Sequence, residues 1–172
     1  MIKKVMLVAL LGVFVASCGG DNKKKKASEA TVVQTEQKQE EKQVSSNPNE
    51  SVVVLESNDA MKYNLKEIRV KEGQKVTLTL KHVGKMSKEM MGHNFVLLTS
   101  GADIAKVAQE AANAKSTDYI PVNSKEIIAY TKMIGGGEST TVVFDAPQKG
   151  VYPFFCSFPG HYSMMKGEFI VE

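Results

Sequence analysis

Three kinds of side chain able to bind a soft metal, a thiol, an imidazole and a thioether, fall within ten residues near the C-terminus, in the stretch Cys156-Ser-Phe-Pro-Gly-His161-Tyr-Ser-Met164-Met165. Thiolate and thioether favour Cu(I), and imidazole suits either oxidation state of copper. The loop lacks a second imidazole, for which His93, in Met91-Gly92-His93-Asn94, is the best remaining candidate. Two His, one Cys and one weak Met are the ligand inventory of a blue copper site that moves single electrons. Such a set leaves no open position of the kind a catalytic zinc requires. Two blander readings compete. A lone cysteine beside Phe154 and Phe155 suits an inert core thiol, but that leaves His161 and the methionines unexplained. A Cys–His nucleophilic pair needs an orienting third group and a substrate cleft, and neither is visible in the sequence. The residues alone do not choose between the adjacent Met164 and Met165.

A rigid scaffold must bring His93 to the loop. From Ser51 to Glu172 the chain has the length of one domain with one core. Val76-Thr-Leu-Thr-Leu80 alternates aliphatics with threonines, the pattern of a half-buried strand. Similar short runs occur at 51–55, 67–71, 94–99, 126–131, 140–144, 151–155 and 167–171. Seven to eight short strands separated by turn signals predict an all-β Greek-key sandwich. One alanine-rich insertion, 102–115, breaks the rhythm and predicts a single helix, with Ser100-x-x-Asp103 as a capping box. Pro153 falls in the strand leading to Cys156, a place best tolerated at an edge or bulge.

Ahead of the domain, residues 1–17 read as a signal peptide, with Lys3 and Lys4 before an apolar run from Val5 to Val15. The small residues before Cys18 resemble the lipobox of bacterial lipoproteins, which implies lipidation of Cys18 and anchoring through several acyl chains. Residues 18–50 are rich in Lys, Glu, Gln, Ser and Asn, the composition of a disordered polar tether. The lysines at 23–26 either rest on anionic headgroups or are simply solvated. The chain carries 22 Lys and Arg against 19 Asp and Glu, but from Ser51 onward the count is 14 against 13. A nearly neutral domain argues against nucleic-acid binding.

From about Asn58 to Glu172 the chain resembles the azurins, which are cupredoxins. The matching stretches are Asn58-Asp-Ala-Met61, Met91-Gly-His-Asn-Phe-Val96, Ile128 to Glu138, Phe154 to His161 and Met165-Lys-Gly167. The resemblance implies a cupredoxin-like sandwich holding one copper ion per domain through His93, Cys156 and His161. Met165 would be the weak axial ligand, and the Gly92 carbonyl would face the metal from the opposite side. Asn94, Ser157 and Phe158 fall where neighbouring groups orient the ligands. Met86, Met90, Met91 and Met164 would form an adaptable apolar patch around His161 where redox partners dock. The resemblance further implies a monomeric electron carrier, not an enzyme, with c-type cytochromes or terminal reductases as partners. Its place would be the bacterial cell envelope, periplasmic or facing the outer membrane. A copper-binding or copper-delivery lipoprotein is the alternative.

The chain also departs from its family. Azurins usually carry a disulfide at positions matching Ser51 and Gln74, and Tyr130 stands where some relatives have histidine. With Cys18 lipidated, Cys156 would be the domain's only thiol. His82 shares the inward parity of Val76, Leu78 and Leu80. It is read as a hydrogen-bonded structural histidine, with a pH-linked effect on potential as the weaker alternative.

Overall fold

The computed structural model describes residues 47–172, so the signal-peptide, Cys18 and most of the tether expectations lie outside the described residues. Among the described residues, nine strands form two sheets. One sheet contains β1 (Glu50–Asn58), β2 (Lys62–Tyr63), β4 (Lys75–His82) and β7 (Ser139–Asp145), in the order β2-β1-β4-β7. The other contains β3 (Glu67–Val70), β5 (Val96–Leu98), β6 (Ile127–Tyr130), β8 (Gly150–Phe155) and β9 (Lys166–Val171), in the order β3-β9-β8-β5-β6. All eight predicted strands are present, and the additional one is the two-residue β2.

The alternation read in the sequence becomes a core. Val76, Leu78 and Leu80 of β4 are buried, as are Val53 and Leu55 of β1, which pairs with β4 in parallel. They meet Phe95, Leu97, Phe154 and Phe169 from the second sheet in one cluster. β5 is buried on both faces, because Val96 and Leu98 turn away from that cluster. They pack with Phe155 beneath Val107 and Ala108 of α2 (Ile104–Ala112). The inserted helix therefore covers the outer side of the second sheet.

α2 is shorter than the sequence predicts, and its cap differs. Asp103, rather than Ser100, is the N-cap, and its carboxylate accepts from the N–H groups of Ala105 and Lys106. The chain leaves α2 at Asn113 and makes a separate 3-10 turn over Lys115–Thr117. A second, four-residue helix, α1 (Lys88–Met91), precedes His93. β8 is an interior strand, yet its pairing with β5 covers only Phe154 and Phe155. Pro153 therefore lies beyond the reach of β5, where a missing donor breaks no ladder on that flank.

No disulfide links Ser51 and Gln74. The Gln74 side-chain amide instead donates to the Pro48 carbonyl at 2.8 Å and accepts from the Lys71 N–H at 2.9 Å. It ties the entry to β1 to the turn before β4. β1 then runs from this end of the sandwich to Asn58, whose carbonyl lies 2.9 Å from His93 Nε2. No helix among the described residues is long and apolar enough to cross a membrane.

Candidate metal centre

Two loops, one after α1 and one after β8, meet at the end of the sandwich to which β1 leads. The second is closed by its own backbone. The Met165 N–H bonds to the His161 carbonyl at 2.8 Å, and the Cys156 N–H to the Met165 carbonyl at 2.9 Å. The first is joined to the β6–β7 connection by reciprocal bonds between His93 and Ile134, each 2.9 Å. Asn94 binds the two loops together. Its Nδ2 donates to Ser157 Oγ at 2.8 Å, and its Oδ1 accepts the Ser157 N–H at 2.9 Å.

This framework brings together His93, Cys156 and His161, all buried, with their donor atoms within 4.8 Å of one another. The Cys156 sulfur lies 3.9 Å from His93 Nδ1 and 3.6 Å from His161 Nδ1. His93 donates from Nε2 to the Asn58 carbonyl, which leaves the Nδ1 lone pair facing the sulfur. The Gly92 carbonyl lies 3.9 Å from the same sulfur. Gly92 has an ordinary backbone conformation, with φ −65°. Its missing side chain matters because a Cβ there would come 2.5 Å from the Lys88 carbonyl oxygen. The obstruction is the preceding helix, not the approach to a metal.

Burial separates the two adjacent methionines. Met165 is fully buried in the cluster that holds Cys156, whereas Met164 is 48% exposed. Met90 is also exposed, and Met86 and Met91 are half-buried. The Phe158 ring packs on His161 with centroids 4.6 Å apart, and the Phe158 N–H helps lower the Cys156 thiol against its burial.

The protonation states suit a soft cation. Burial pushes the Cys156 thiol up to about 11, so a free thiolate is disfavoured unless a positive charge accompanies it. Burial pushes both His93 and His161 down to about 4, so both imidazoles are neutral near pH 7 with lone pairs available. Two neutral imidazoles and a buried thiol that needs a counter-charge fit a copper ion, and binding near neutral pH releases the thiol proton.

The same shifts fix how the copper-free protein responds to pH. Both histidines titrate near 6.5 when unfolded. Between there and about 4 the unfolded chain binds more protons, so stability falls as pH falls through that window. Cys156 has the opposite arrangement, and its contribution is lost as pH rises toward about 11. Thermal melts of the copper-free protein should show a plateau near pH 7 to 8 with a decline on either side. An unchanged melting temperature from pH 6.5 to 4.5 would contradict these imidazole shifts.

Sequence reasoning missed several supporting groups. Tyr63, on the two-residue β2, donates its hydroxyl to the Asn94 carbonyl. Thr131 accepts the Phe95 N–H at 2.9 Å. His82 is buried with both ring nitrogens engaged, Nδ1 with the Gly84 N–H at 3.0 Å and Nε2 with the Met91 carbonyl at 2.9 Å. It stacks on His93 with centroids 4.5 Å apart, the hydrogen-bonded arrangement expected of it. Of these, His82 had been read as structural and Asn58 and Thr131 lay within stretches singled out from the sequence, but the contribution of Asn58 is a backbone carbonyl, which side-chain type does not reveal.

Asn94 is the joint whose removal should be felt most in the framework. Asn94→Ala leaves the buried Ser157 N–H and hydroxyl without these partners. It should cost about 2–4 kcal/mol in denaturant unfolding of the copper-free protein. A change below about 0.5 kcal/mol would show that the loops are held elsewhere.

Comparison with known proteins matches residues 49–172 to the copper binding proteins of the plastocyanin/azurin family. The chain is 52% identical over 118 residues to an azurin of Achromobacter denitrificans, covering 66% of this chain and 78% of that protein. It is 42% identical over 118 residues to outer membrane protein H.8 of Neisseria gonorrhoeae, covering 66% of this chain and 63% of that protein. Among solved structures it is similar to an azurin of Methylomonas sp. strain J, with TM-score 0.64 and 38% identity over 70% of this chain and 97% of the other. Reduced auracyanin from Roseiflexus castenholzii gives TM-score 0.64 and 39% identity over 70% and 96%.

Proposed function

Because this chain belongs to the plastocyanin/azurin family of copper-binding proteins, we propose that it is a blue copper electron carrier of the bacterial cell envelope. The observation that carries the reading is the buried convergence of His93, Cys156 and His161. In this reading His93 Nδ1, Cys156 Sγ and His161 Nδ1 would hold the ion, with Met165 and the Gly92 carbonyl as weaker donors. When bound, copper supplies a one-electron Cu(II)/Cu(I) couple. The chain's part is to keep the ligands nearly fixed through that change. Asn94 and Ser157 lock the two loops, the Asn58 carbonyl fixes the His93 tautomer, and burial excludes water.

His161 is the ligand nearest the surface, at 4% exposure against none for His93 and Cys156. Electrons enter and leave through its outer edge, and partners such as c-type cytochromes or terminal reductases dock on the methionine surface. Met90 and Met164 are its exposed members, and Met86 and Met91 its half-buried ones. The similarity to outer membrane protein H.8 supports an envelope location. The Cys18 lipid anchor and the 18–50 tether complete that reading.

The test is stopped-flow oxidation of a ferrous c-type cytochrome by the oxidised, copper-loaded protein. Met164→Lys places a charge on the docking surface and should slow the second-order rate about tenfold, with the visible spectrum unchanged. Failure of the unsubstituted protein to oxidise the cytochrome, together with rapid loss of copper to a thiol-bearing acceptor, would favour copper delivery.

A further inference from the structure

The Asn58–Met61 turn joins β1 to β2, and only the Asn58 carbonyl has been given a role so far. Asp59 lies in the middle of it. One carboxylate oxygen accepts the Lys85 N–H at 2.8 Å and the other the Met86 N–H at 3.2 Å, which clamps the chain between β4 and α1. The fit is close. A Cβ at Gly84 would sit 2.1 Å from Asp59 Oδ1, so only glycine leaves room for the carboxylate.

That oxygen also lies 3.8 Å from His82 Nε2, and the His82 ring stacks on His93 at 25° between planes. We propose that Asp59 is a positioning and charge-setting residue of the copper centre: it fixes Lys85 and Met86 ahead of the His93 loop and lowers the reduction potential through a fixed negative charge behind His82 and His93. The proposal rests on the copper reading of the site given above.

The charge is present because the Lys85 N–H, first among several causes, holds the Asp59 carboxyl below its usual range. A negative charge on that side of His93 favours Cu(II) over Cu(I), since the oxidised ion carries one more positive charge. Buried His82 fills the space between, while the Asp59 side chain is 35% exposed, so water screens the charge in part.

The experiment compares the unsubstituted protein with Asp59→Asn and Asp59→Glu by voltammetry of the copper-loaded proteins. Asp59→Asn should shift the midpoint potential positive with the visible band nearly unchanged, and Asp59→Glu should return it toward the original. In the copper-free state, Asp59→Ala should speed amide exchange at Lys85 and Met86 about tenfold. An unchanged potential in Asp59→Asn would overturn the charge-setting role, as would equal shifts in Asn and Glu variants. Loss of copper binding in both would leave a structural clamp only and overturn it equally. Unchanged exchange at the two amides would overturn the clamp. An unsubstituted protein with no reversible one-electron couple would instead defeat the electron-carrier reading, while the exchange measurement would still decide the clamp.

Discussion

Cys156→Ser should leave the oxidised, copper-loaded protein without its intense visible band and weaken copper retention by more than about a hundredfold. The band arises from charge transfer between thiolate and Cu(II), and Cys156 is the only thiol among the described residues. Serine replaces a soft sulfur with a hard hydroxyl that stays protonated near neutral pH. Loss of an outer partner of a metal ligand already costs about 10- to 100-fold in affinity, so loss of a ligand should cost more. The scaffold should survive, because the two side chains are close in size and the Cys156 backbone bond to Met165 is untouched. Visible absorption and copper content after dialysis decide the matter. A variant that stays intensely blue would remove Cys156 from the ligand set.

The second large effect is on stability. Removing copper should lower the melting temperature by at least about 10 °C, equivalent to about 4 kcal/mol when free copper stands near a thousand times its dissociation constant. This chain has particular reason to depend on the ion. A disulfide at the Ser51 and Gln74 positions would contribute about 3 kcal/mol, and here the Gln74 amide instead makes hydrogen bonds to the Pro48 carbonyl and the Lys71 N–H. Removing the ion also leaves a buried thiol and two imidazoles at the junction of the two loops. Differential scanning calorimetry of the loaded and copper-free proteins provides the check, and coincident melts would refute the dependence.

Much of this architecture was legible because side-chain pattern dictates it. The alternation from Val76 to Leu80 specified both the existence of β4 and its buried face. The run at 94–99 marked β5, and its burial on both faces emerged only in the structure. The helix was legible as an alanine-rich segment, but its ends were not, because they depend on local capping. Asp103 satisfies the first free N–H groups itself, so the helix starts after it and Ser100 has no capping role. The two-residue β2 is too short to show any period.

At the site, the three clustered donors could be found from residue type and spacing, since few stretches place Cys, His and Met so close together. Asn94, Ser157, Phe158 and the Gly92 carbonyl were reached only through the resemblance. The carbonyls of Asn58 and Met91 were not reached, because they act through the backbone, which is the same in every residue. The choice of Met165 over Met164 required the resemblance, and the burial of one and exposure of the other agree with it.

The course of β1 gives the domain a direction. Its nine residues, Glu50–Asn58, span about 26 Å at the usual strand rise. The described chain enters at the Asn47 end, while Asn58 at the other end touches His93. A pull applied at Asn47 would therefore load the β1–β4 ladder before it reached the loop that carries His93.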